Sequence, residues 1–246
     1  MVIASNVIMK REKRLIVLAG GLGTRLRSVV SDVPKPMSPI QGKPFLEFLL
    51  NYWINQGVDL ITLSVGYKYE KIKNHFGNSF NGVLLEYVIE EAPLGTGGAI
   101  KNCLATTSLD FQNTLIINGD TWFEVDLTSF IQTTKSLKYP VKMVLKQINN
   151  NNRYDGVGLD SSGAINQFGI KNSKETLING GCYWVDPNFL SNYIKNQPGK
   201  FSFEADVLTQ LANDGLLYGH VQDGQFCDIG IPEDYQNVGS IIVRQN

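Results

Sequence analysis

The sequence predicts an α/β fold in which a mostly parallel, mixed sheet carries helices on both faces. From Arg14 to about residue 140, short apolar runs alternate with runs of helical spacing, and this alternation is typical of strand–helix–strand units that build parallel sheets. After residue 140 the pattern changes to short strands separated by Asp-Gly, Ser-Gly and Asn-Gly turn signals, which predicts a β-rich lobe. No linker or repeat intervenes, so we expect one domain over residues 13–246, with halves at 13–140 and 141–246.

The first half predicts four strands and three helices. Leu15–Ala19 is a continuous apolar run, as expected for a strand buried on both faces. Apolar residues then recur with helical spacing from Phe45 to Ile54, and Gly57 ends that helix. The remaining elements are strands at 61–65, 84–90 and 115–117 and helices at 70–76 and 99–104.

The second half predicts strands at 142–148, 157–160, 165–168 and 178–185, and helices at 188–195, 204–212 and 233–242. At the other end of the chain, residues 1–12 are expected to be a frayed extension. Their weakly apolar stretch precedes a basic cluster, whereas a secretory signal has the opposite order.

Composition excludes several classes of protein. The chain has 246 residues, of which 43% are hydrophobic and 18% charged, with a formal net charge of −1. The apolar fraction excludes a disordered chain, and the near-neutral charge argues against a nucleic-acid partner. No apolar run approaches the roughly 18 residues of a membrane-spanning helix. Three scattered cysteines without CxxC spacing indicate neither a disulfide framework nor a zinc site, so a cytoplasmic location is expected.

A glycine-rich loop, Gly20-Gly21-Leu22-Gly23-Thr24-Arg25-Leu26, directly follows the first strand. Its glycines let the backbone turn tightly and bring several N–H groups close to an anion, and Arg25 adds a guanidinium fork suited to phosphate oxygens. Leu26 stands where a dinucleotide-binding fingerprint needs its third glycine, and the Gly-Lys-Ser/Thr end of a Walker A loop is absent. Taken alone, the loop is equally consistent with a tight turn flanked by solvated charges.

Four segments together resemble the sugar-1-phosphate nucleotidyltransferases, also called NDP-sugar pyrophosphorylases. They are the glycine-rich loop, Pro34-Lys35-Pro36, the Pro-Leu-Gly-Thr-Gly-Gly-Ala stretch at 93–99, and Asn118-Gly119-Asp120. The resemblance runs from Arg14 to about Val243 and is greatest to the D-glycero-α-D-manno-heptose 1-phosphate guanylyltransferases, through residues 35–39, 44–47, 201–204 and 228–235. It implies the Rossmann-like nucleotide-diphospho-sugar transferase fold, with a nucleotide-binding first half and a sugar-binding second half.

The resemblance also implies a reaction of a nucleoside triphosphate with a sugar 1-phosphate that releases pyrophosphate. Arg25 would hold the β- and γ-phosphates, Lys35 the α-phosphate, and Asp120 and Asp228 would bind Mg²⁺; Arg25, Lys35 and Asp120 are the expected catalytic residues. From the residues alone, Asp120 is also consistent with a turn aspartate and Asp228 with a helix start. The expected nucleotide-binding residues are Leu18, Ala19, Gly20, Gly21, Gly23, Thr24, Arg25, Lys35, Glu90, Gly95, Thr96 and Gly119.

Glu90 occupies the position at which this family reads the edge of the base. An ionised carboxylate only accepts hydrogen bonds. Guanine offers N1–H and N2–H₂ as adjacent donors, whereas uracil offers one N–H between two carbonyls, so Glu90 favours GTP over UTP. Recognition by Glu91 or by backbone groups is the alternative.

The sugar is expected to contact the second half. The resemblance assigns Lys171 to the 1-phosphate, although Ile170 replaces the acidic residue that usually precedes this lysine. Asn179, Gly180 and Glu204 match segments that bind sugar hydroxyls. Gly156 is assigned from an Arg-Tyr-Gly motif, which here reads Arg153-Tyr154-Asp155-Gly156 because Asp155 displaces the glycine by one position.

Other functions remain open at this point. Mannose 1-phosphate or N-acetylmuramate 1-phosphate are alternative substrates, with UTP as an alternative nucleotide. A nucleotide-sugar-binding regulatory module is the non-enzyme alternative, which a retained pair of metal carboxylates disfavours. Leu26 disfavours a nicotinamide dehydrogenase. The expected partners are therefore small molecules, with no nucleic acid or membrane, and a homo-oligomer is compatible with the sequence.

Overall fold

The computed structural model describes residues 13–21, 32–107, 111–134, 139–149, 153–170 and 175–242. The strands are β1 (Arg14–Ala19), β2 (Pro39–Ile40), β3 (Lys43–Pro44), β4 (Leu60–Val65), β5 (Ser79–Phe80), β6 (Val83–Ile89), β7 (Thr114–Asn118), β8 (Thr121–Phe123), β9 (Val141–Asn149), β10 (Gly156–Leu159), β11 (Ile165–Ile170), β12 (Glu175–Val185), β13 (Leu217–Gln222) and β14 (Phe226–Asp228). The helices are α1 (Phe45–Asn55), α2 (Tyr69–Phe76), α3 (Gly95–Thr106), α4 (Leu127–Thr134), α5 (Pro187–Ile194), α6 (Thr209–Asn213) and α7 (Pro232–Ile242), with a 3₁₀ turn at Lys35–Met37 and a π-helix at Phe203–Leu208.

One large mixed sheet organises the chain. Strand β1 lies at its centre between β7 and β4, and β7, β1, β4 and β6 are mutually parallel. Beyond β7 the sheet continues with the antiparallel β12, followed by β10 and β11, while β9 and β13 extend from β12 on a second branch. The mostly parallel mixed sheet predicted from the sequence is thereby confirmed.

Helices cover both faces of this sheet, as predicted. On one face α1, α2, α4 and α7 bury side chains such as Trp53 and Phe130. On the other face α3, α5, the π-helix and α6 do the same, with Leu104 and Leu190 among the buried residues. Burial of this much apolar surface on two faces provides the driving force for folding. None of the helices in the described part of the chain has the length and apolarity needed to cross a membrane.

Strand β12 joins the parallel region to the β-rich lobe and bends at a pair of glycines. Its last residues pair with both β7 and β9, while its first residues pair with β9 and β10. The register breaks between Asn179 and Tyr183, where Gly181 has φ +67°. A Cβ at Gly181 would lie 2.7 Å from the Asn118 amide, and one at Gly180 would lie 2.6 Å from the Phe123 ring. Only glycine allows this strand to pass so close to the end of β7.

Some elements differ from the sequence-based prediction. Helix α3 begins at Gly95 rather than Ala99, because packing against Phe201 compensates for four residues that include three glycines. The predicted helix at 204–212 is a π-helix followed by a short α-helix. Two further elements were not predicted, because their apolar residues show no clear periodicity. They are helix α4, which is rich in Ser and Thr, and strand β13, which Gly219 interrupts. The three-residue strands β8 and β14 were too short to predict.

Candidate active site

A lysine and two aspartates meet at the carboxyl ends of the central strands. Asp120 follows β7, Asp228 ends β14, and Lys35 lies on the 3₁₀ turn between two prolines. Lys35 Nζ is 2.6 Å from Asp120 Oδ2 and 3.6 Å from Asp228 Oδ1. The ribbon formed by β8 and β14 pairs Thr121 with Asp228, which brings the two aspartates together although they are far apart in the sequence. We call this group the lysine–aspartate cluster.

The electrostatics of the lysine–aspartate cluster leave an excess of negative charge. Burial, followed by repulsion from Asp120, raises the pKa of Asp228, while Lys35 and the backbone N–H of Gly230 oppose the increase. That N–H donates to Asp228 Oδ1 at 2.7 Å. A Cβ at Gly230 would collide with the ammonium group of Lys35, so glycine keeps this side of the cluster open. Two carboxylates sharing one ammonium form an environment that favours an additional cation.

The donor set of the lysine–aspartate cluster fits Mg²⁺. Among the described residues, no group of three or more His, Cys, Asp or Glu side chains comes together as a complete protein metal site. Mg²⁺ does not require one, because it binds through one or two carboxylates and completes its octahedron with water and substrate phosphate oxygens. Asp120 and Asp228 are the two carboxylates that could hold it.

A second group of predicted residues surrounds a pocket of about 660 Å³. Leu18 and Ala19 end β1 and lead into Gly20 and Gly21, and Gly20 lines the pocket together with residues 66–70 and 89–93. Gly119 donates its N–H to the Leu18 carbonyl at 2.9 Å, and a Cβ there would lie 2.7 Å from the same oxygen. The loop ends of β1 and β7 are therefore in direct contact. Gly23, Thr24 and Arg25 lie outside the described residues.

The Glu90 carboxylate is fixed within this pocket, which we call the nucleotide pocket after the predicted nucleotide-binding residues around it. Its Oε1 accepts from Ser64 Oγ at 2.9 Å and its Oε2 from the Leu94 N–H at 3.3 Å. A Cβ at Gly20 would lie 2.9 Å from the Glu90 carboxyl carbon, so Gly20 provides the space that the carboxylate occupies. Glu91 is exposed at the pocket rim. Sequence reasoning missed Ser64; the available signal was that β4 carries two hydroxyl residues, Thr62 and Ser64, among apolar ones.

Lys68 is a second pocket residue that the sequence did not indicate. It lines the pocket, adopts a left-handed backbone with φ +53°, and donates from Nζ to the Asp32 carbonyl at 3.2 Å. Non-glycine residues in this conformation are uncommon and cluster at binding sites. Lys68 therefore adds a cation beside the rim of a pocket that also contains Glu90.

The glycine-rich start of α3 packs against a segment from the second half of the chain. Gly95 has φ +72°, and a Cβ there would lie 2.5 Å from the Phe201 carbonyl oxygen. A Cβ at Gly97 would overlap the Phe201 ring. The Gly97 N–H donates to the Phe201 carbonyl and the Phe201 N–H to the Leu94 carbonyl, both at 3.1 Å. This packing accounts for glycine at positions 95 and 97.

Thr96 links the same two segments through its side chain. Its hydroxyl donates to Glu204 Oε2 at 2.5 Å and accepts from the Phe203 N–H at 2.9 Å. Ser202 Oγ donates to the same Glu204 oxygen at 3.0 Å. The Thr96 hydroxyl, predicted to bind nucleotide, thus contacts the π-helix and orients Glu204.

A third region is a cavity of about 490 Å³ in the β-rich lobe, which we call the sugar cavity. It contains two of the predicted sugar-binding side chains, Asn179 and Glu204. Asn179 is oriented by accepting from the Gly181 N–H at 2.9 Å and donating to Tyr183 Oη at 2.8 Å. The complete lining is Tyr154, Asp155, Val157, Phe168, Gly169, Ile178, Asn179, Glu204, Ala205 and Thr209.

Two predicted glycines shape this lobe through close backbone packing. A Cβ at Gly156 would lie 2.7 Å from Thr176 Cγ2 and 2.9 Å from Ile170 Cβ, so glycine lets β10 fit between β11 and β12. Gly180 similarly allows contact with Phe123, as described for the bend of β12. Lys171 lies outside the described residues.

Comparisons with known proteins identify the family of this chain. The nucleotidyl transferase family matches residues 14–245. D-glycero-α-D-manno-heptose 1-phosphate guanylyltransferases from Aneurinibacillus thermoaerophilus and Campylobacter jejuni are 43% and 41% identical over 90% and 89% of this chain, and over 94% and 96% of their own lengths. The crystal structure of HddC from Yersinia pseudotuberculosis superposes on this chain with a TM-score of 0.80 and is 36% identical in sequence. The superposition covers 95% of this chain and 99% of HddC. A second structure, of HddC complexed with GMP-PN, matches with the same figures. The chain belongs to the nucleotidyl transferase family.

Proposed function

We propose that this protein transfers the guanylyl group of GTP to D-glycero-α-D-manno-heptose 1-phosphate, forming the GDP-heptose and pyrophosphate. The lysine–aspartate cluster carries the proposal, because it places one cation and two metal-binding carboxylates at the edge of the sheet where ligands of open α/β folds bind. The nucleotide pocket and the sugar cavity supply separate places for the two substrates. The heptose is inferred from the two relatives above 40% identity.

Charge neutralisation is the main requirement of this reaction. An oxygen of the sugar phosphate attacks the α-phosphorus of GTP; the new P–O bond forms as the bond to the β-phosphate breaks, and the electron pair leaves with pyrophosphate. Both reactants are polyanions, so their encounter is repulsive without cations. Lys35, held 2.6 Å from Asp120, would offset negative charge at the α-phosphate. The attacking phosphate is already ionised and needs no general base.

Mg²⁺ held by Asp120 and Asp228 would neutralise phosphate oxygens of the bound triphosphate when the metal is present. Lys35 bridges the two carboxylates in the structure, and its side chain is 13% exposed. A lysine confined in this way has lost most of its rotamer freedom before substrate binds. The cluster is therefore largely preorganised for a second cation and a phosphate group.

The position of Glu90 supports GTP as the nucleotide. Ser64 and the Leu94 N–H each donate one hydrogen bond to a different carboxylate oxygen, which fixes the plane of the group. Each oxygen has a further lone pair, and together they suit the adjacent N1–H and N2–H₂ donors of guanine. We also place the protein in the cytoplasm, since GTP and phosphorylated sugars are made and used there.

A matrix of four nucleoside triphosphates against heptose, mannose and N-acetylmuramate 1-phosphates, with Mg²⁺ and a pyrophosphate-release readout, tests the proposal. We expect the highest kcat/KM for GTP with the heptose phosphate. The Asp120→Asn protein should lose about 10²–10³-fold in kcat, while Asp223→Asn, which changes an exposed aspartate outside the site, should retain activity. Preference for UTP or for another sugar, or an absence of coupled product, contradicts the proposal.

Base selection is tested separately with a matched pair of variants. Glu90→Gln replaces one acceptor oxygen by a donor amide and should lower the ratio of kcat/KM for GTP over UTP by about tenfold or more. Glu91→Gln makes the same chemical change at the exposed neighbouring position and should leave the ratio unchanged. If Glu91→Gln alters the ratio and Glu90→Gln does not, Glu91 is the residue that reads the base.

A further inference from the structure

The sugar cavity combines an apolar wall with polar groups on a strand and a helix. Val157, Phe168 and Ile178 provide apolar surface. Asn179 lies on β12, and Glu204 on the π-helix has Oε2 fixed by Thr96 and Ser202. Apolar surface combined with a few oriented hydrogen-bonding groups is typical of sites that bind small polar ligands. One carboxylate of the lining, that of Asp155, has no role in the function proposed so far.

Asp155 is held at the rim of the cavity by two fixed neighbours. Gly156, which follows it, is buried between β11 and β12 with no space for a side chain. Tyr154, which precedes it, packs edge-on against Phe226 with ring centroids 5.9 Å apart. Asp155 itself is exposed and lines the cavity. Because both neighbours are anchored, the extra residue in the Arg-Tyr-Asp-Gly segment has a defined place at the rim of the cavity.

The order of strands separates Asp155 from Asp120. Strand β12, which carries Asn179, lies between β10 and β7 in the sheet, and Asp120 follows β7. Asp155 immediately precedes β10. A sugar whose 1-phosphate approached Asp120 and Lys35 would direct its C1 end toward β7 and its opposite end toward β10 and Asp155.

That opposite end is where a heptose differs from a hexose. A manno-heptose carries a C6–C7 diol, whereas mannose ends in a single C6 hydroxyl. A carboxylate only accepts hydrogen bonds and can take one from each hydroxyl of a vicinal diol through its two oxygens. We propose that Asp155 selects the heptose by accepting hydrogen bonds from the C6 and C7 hydroxyls, while Asn179 and Glu204 bind ring hydroxyls. This inference rests on the function proposed above.

The test compares two sugars in three proteins. Steady-state kcat/KM is measured at saturating GTP for D-glycero-α-D-manno-heptose 1-phosphate and for α-D-mannose 1-phosphate, in the unmodified protein, Asp155→Asn and Asp155→Ala. Hydrogen bonds to charged groups are strong enough that we expect about a tenfold loss for the heptose, mainly in KM. The kcat/KM for mannose 1-phosphate and the KM for GTP should change by less than about twofold, well below the tenfold loss expected for the heptose.

Controls separate this inference from the proposed function. Asp223→Asn removes an exposed carboxylate that lines a different cavity and should preserve the heptose-to-mannose ratio. If the unmodified protein forms GDP-heptose but the ratio is unchanged in both Asp155 variants, or if the two sugars lose activity equally, the role of Asp155 is refuted and the proposed function stands. If the unmodified protein forms no GDP-heptose, both are refuted. The melting temperatures of both variants are measured beside the kinetics, so that a loss of folded protein is not counted as a loss of sugar binding.

Discussion

Replacing Thr96 with valine should weaken sugar binding although Thr96 lies in a segment predicted to bind the nucleotide. Valine keeps the shape of threonine but removes the hydroxyl, which donates to Glu204 Oε2 at 2.5 Å and accepts from the Phe203 N–H at 2.9 Å. Glu204 lines the sugar cavity. The substitution therefore removes one of the two hydrogen-bond donors that orient this carboxylate; the other donor is Ser202.

The magnitude follows from the two hydrogen bonds. Loss of a bond to a charged group costs about 1.5–3 kcal/mol, and a buried N–H without an acceptor costs about 1–3 kcal/mol. Phe203 is fully buried. Partial relaxation and solvation of Glu204 reduce the total, so we expect the free energy of unfolding to fall by about 2–4 kcal/mol. We expect the KM for the sugar phosphate to rise about tenfold, which corresponds to about 1.4 kcal/mol.

The assay is steady-state kinetics with each substrate varied in turn, together with denaturant unfolding. Thr106→Val is the matched control, because Thr106 lies at the other end of the same helix and its exposed hydroxyl only donates to the Asn102 carbonyl. The control should leave both KM values unchanged. The reasoning is refuted if Thr96→Val raises the KM for GTP but not the KM for the sugar phosphate. The Thr96 hydroxyl would then be assigned to nucleotide binding.

Three further outcomes are expected. Asp120→Asn should lower kcat by about 10²–10³-fold with little change in melting temperature. The two quantities are measured by pyrophosphate release and by thermal unfolding. A variant with the kcat of the unmodified protein would show that Asp120 has no catalytic role. Burial lowers the pKa of His220 in the folded protein, so the unfolded chain binds more protons near its ordinary pKa. Stability should therefore be lost as pH falls through about 6.5, and less so in His220→Gln; identical pH profiles of melting temperature would exclude this. Burial raises the pKa of the Cys103 thiol to about 11, and all three cysteines are buried and free. A thiol reagent should therefore modify the native protein slowly and the unfolded protein completely. Rapid labelling of the native protein would contradict this prediction.

Much of the fold could be predicted because it depends on local patterns. The apolar run 15–19 forms most of strand β1 and is buried from both faces of the sheet, which is what a central parallel strand requires. Neighbouring parallel strands also end at a common edge of the sheet, so the segments that follow β1 and β7 lie close together. Their contact, the Gly119 N–H bonded to the Leu18 carbonyl, follows from that rule.

The parts that could not be predicted depend on pairing between distant segments. The ribbon of β8 and β14 has three residues in each strand, too few for a recognisable period, yet it brings Asp228 beside Asp120. Thr96 and Glu204 are likewise 108 positions apart in the sequence, and neither has a sequence pattern that indicates the other as its partner. Motif resemblance identified these residues as important, but their partners required coordinates.

The glycine-rich start of α3 shows why the two halves of the site are coupled. In-line attack requires the sugar phosphate and the α-phosphorus to be held at a fixed separation, because small displacements reduce the rate steeply. Two backbone hydrogen bonds join Leu94 and Gly97 to Phe201, and the Thr96 side chain continues the link to Glu204. The segments predicted to bind nucleotide and sugar thus form one hydrogen-bonded unit, and glycine is required at positions 95 and 97 because any side chain would force them apart. We propose that the glycines of this motif serve catalysis by fixing the relative position of the two substrates.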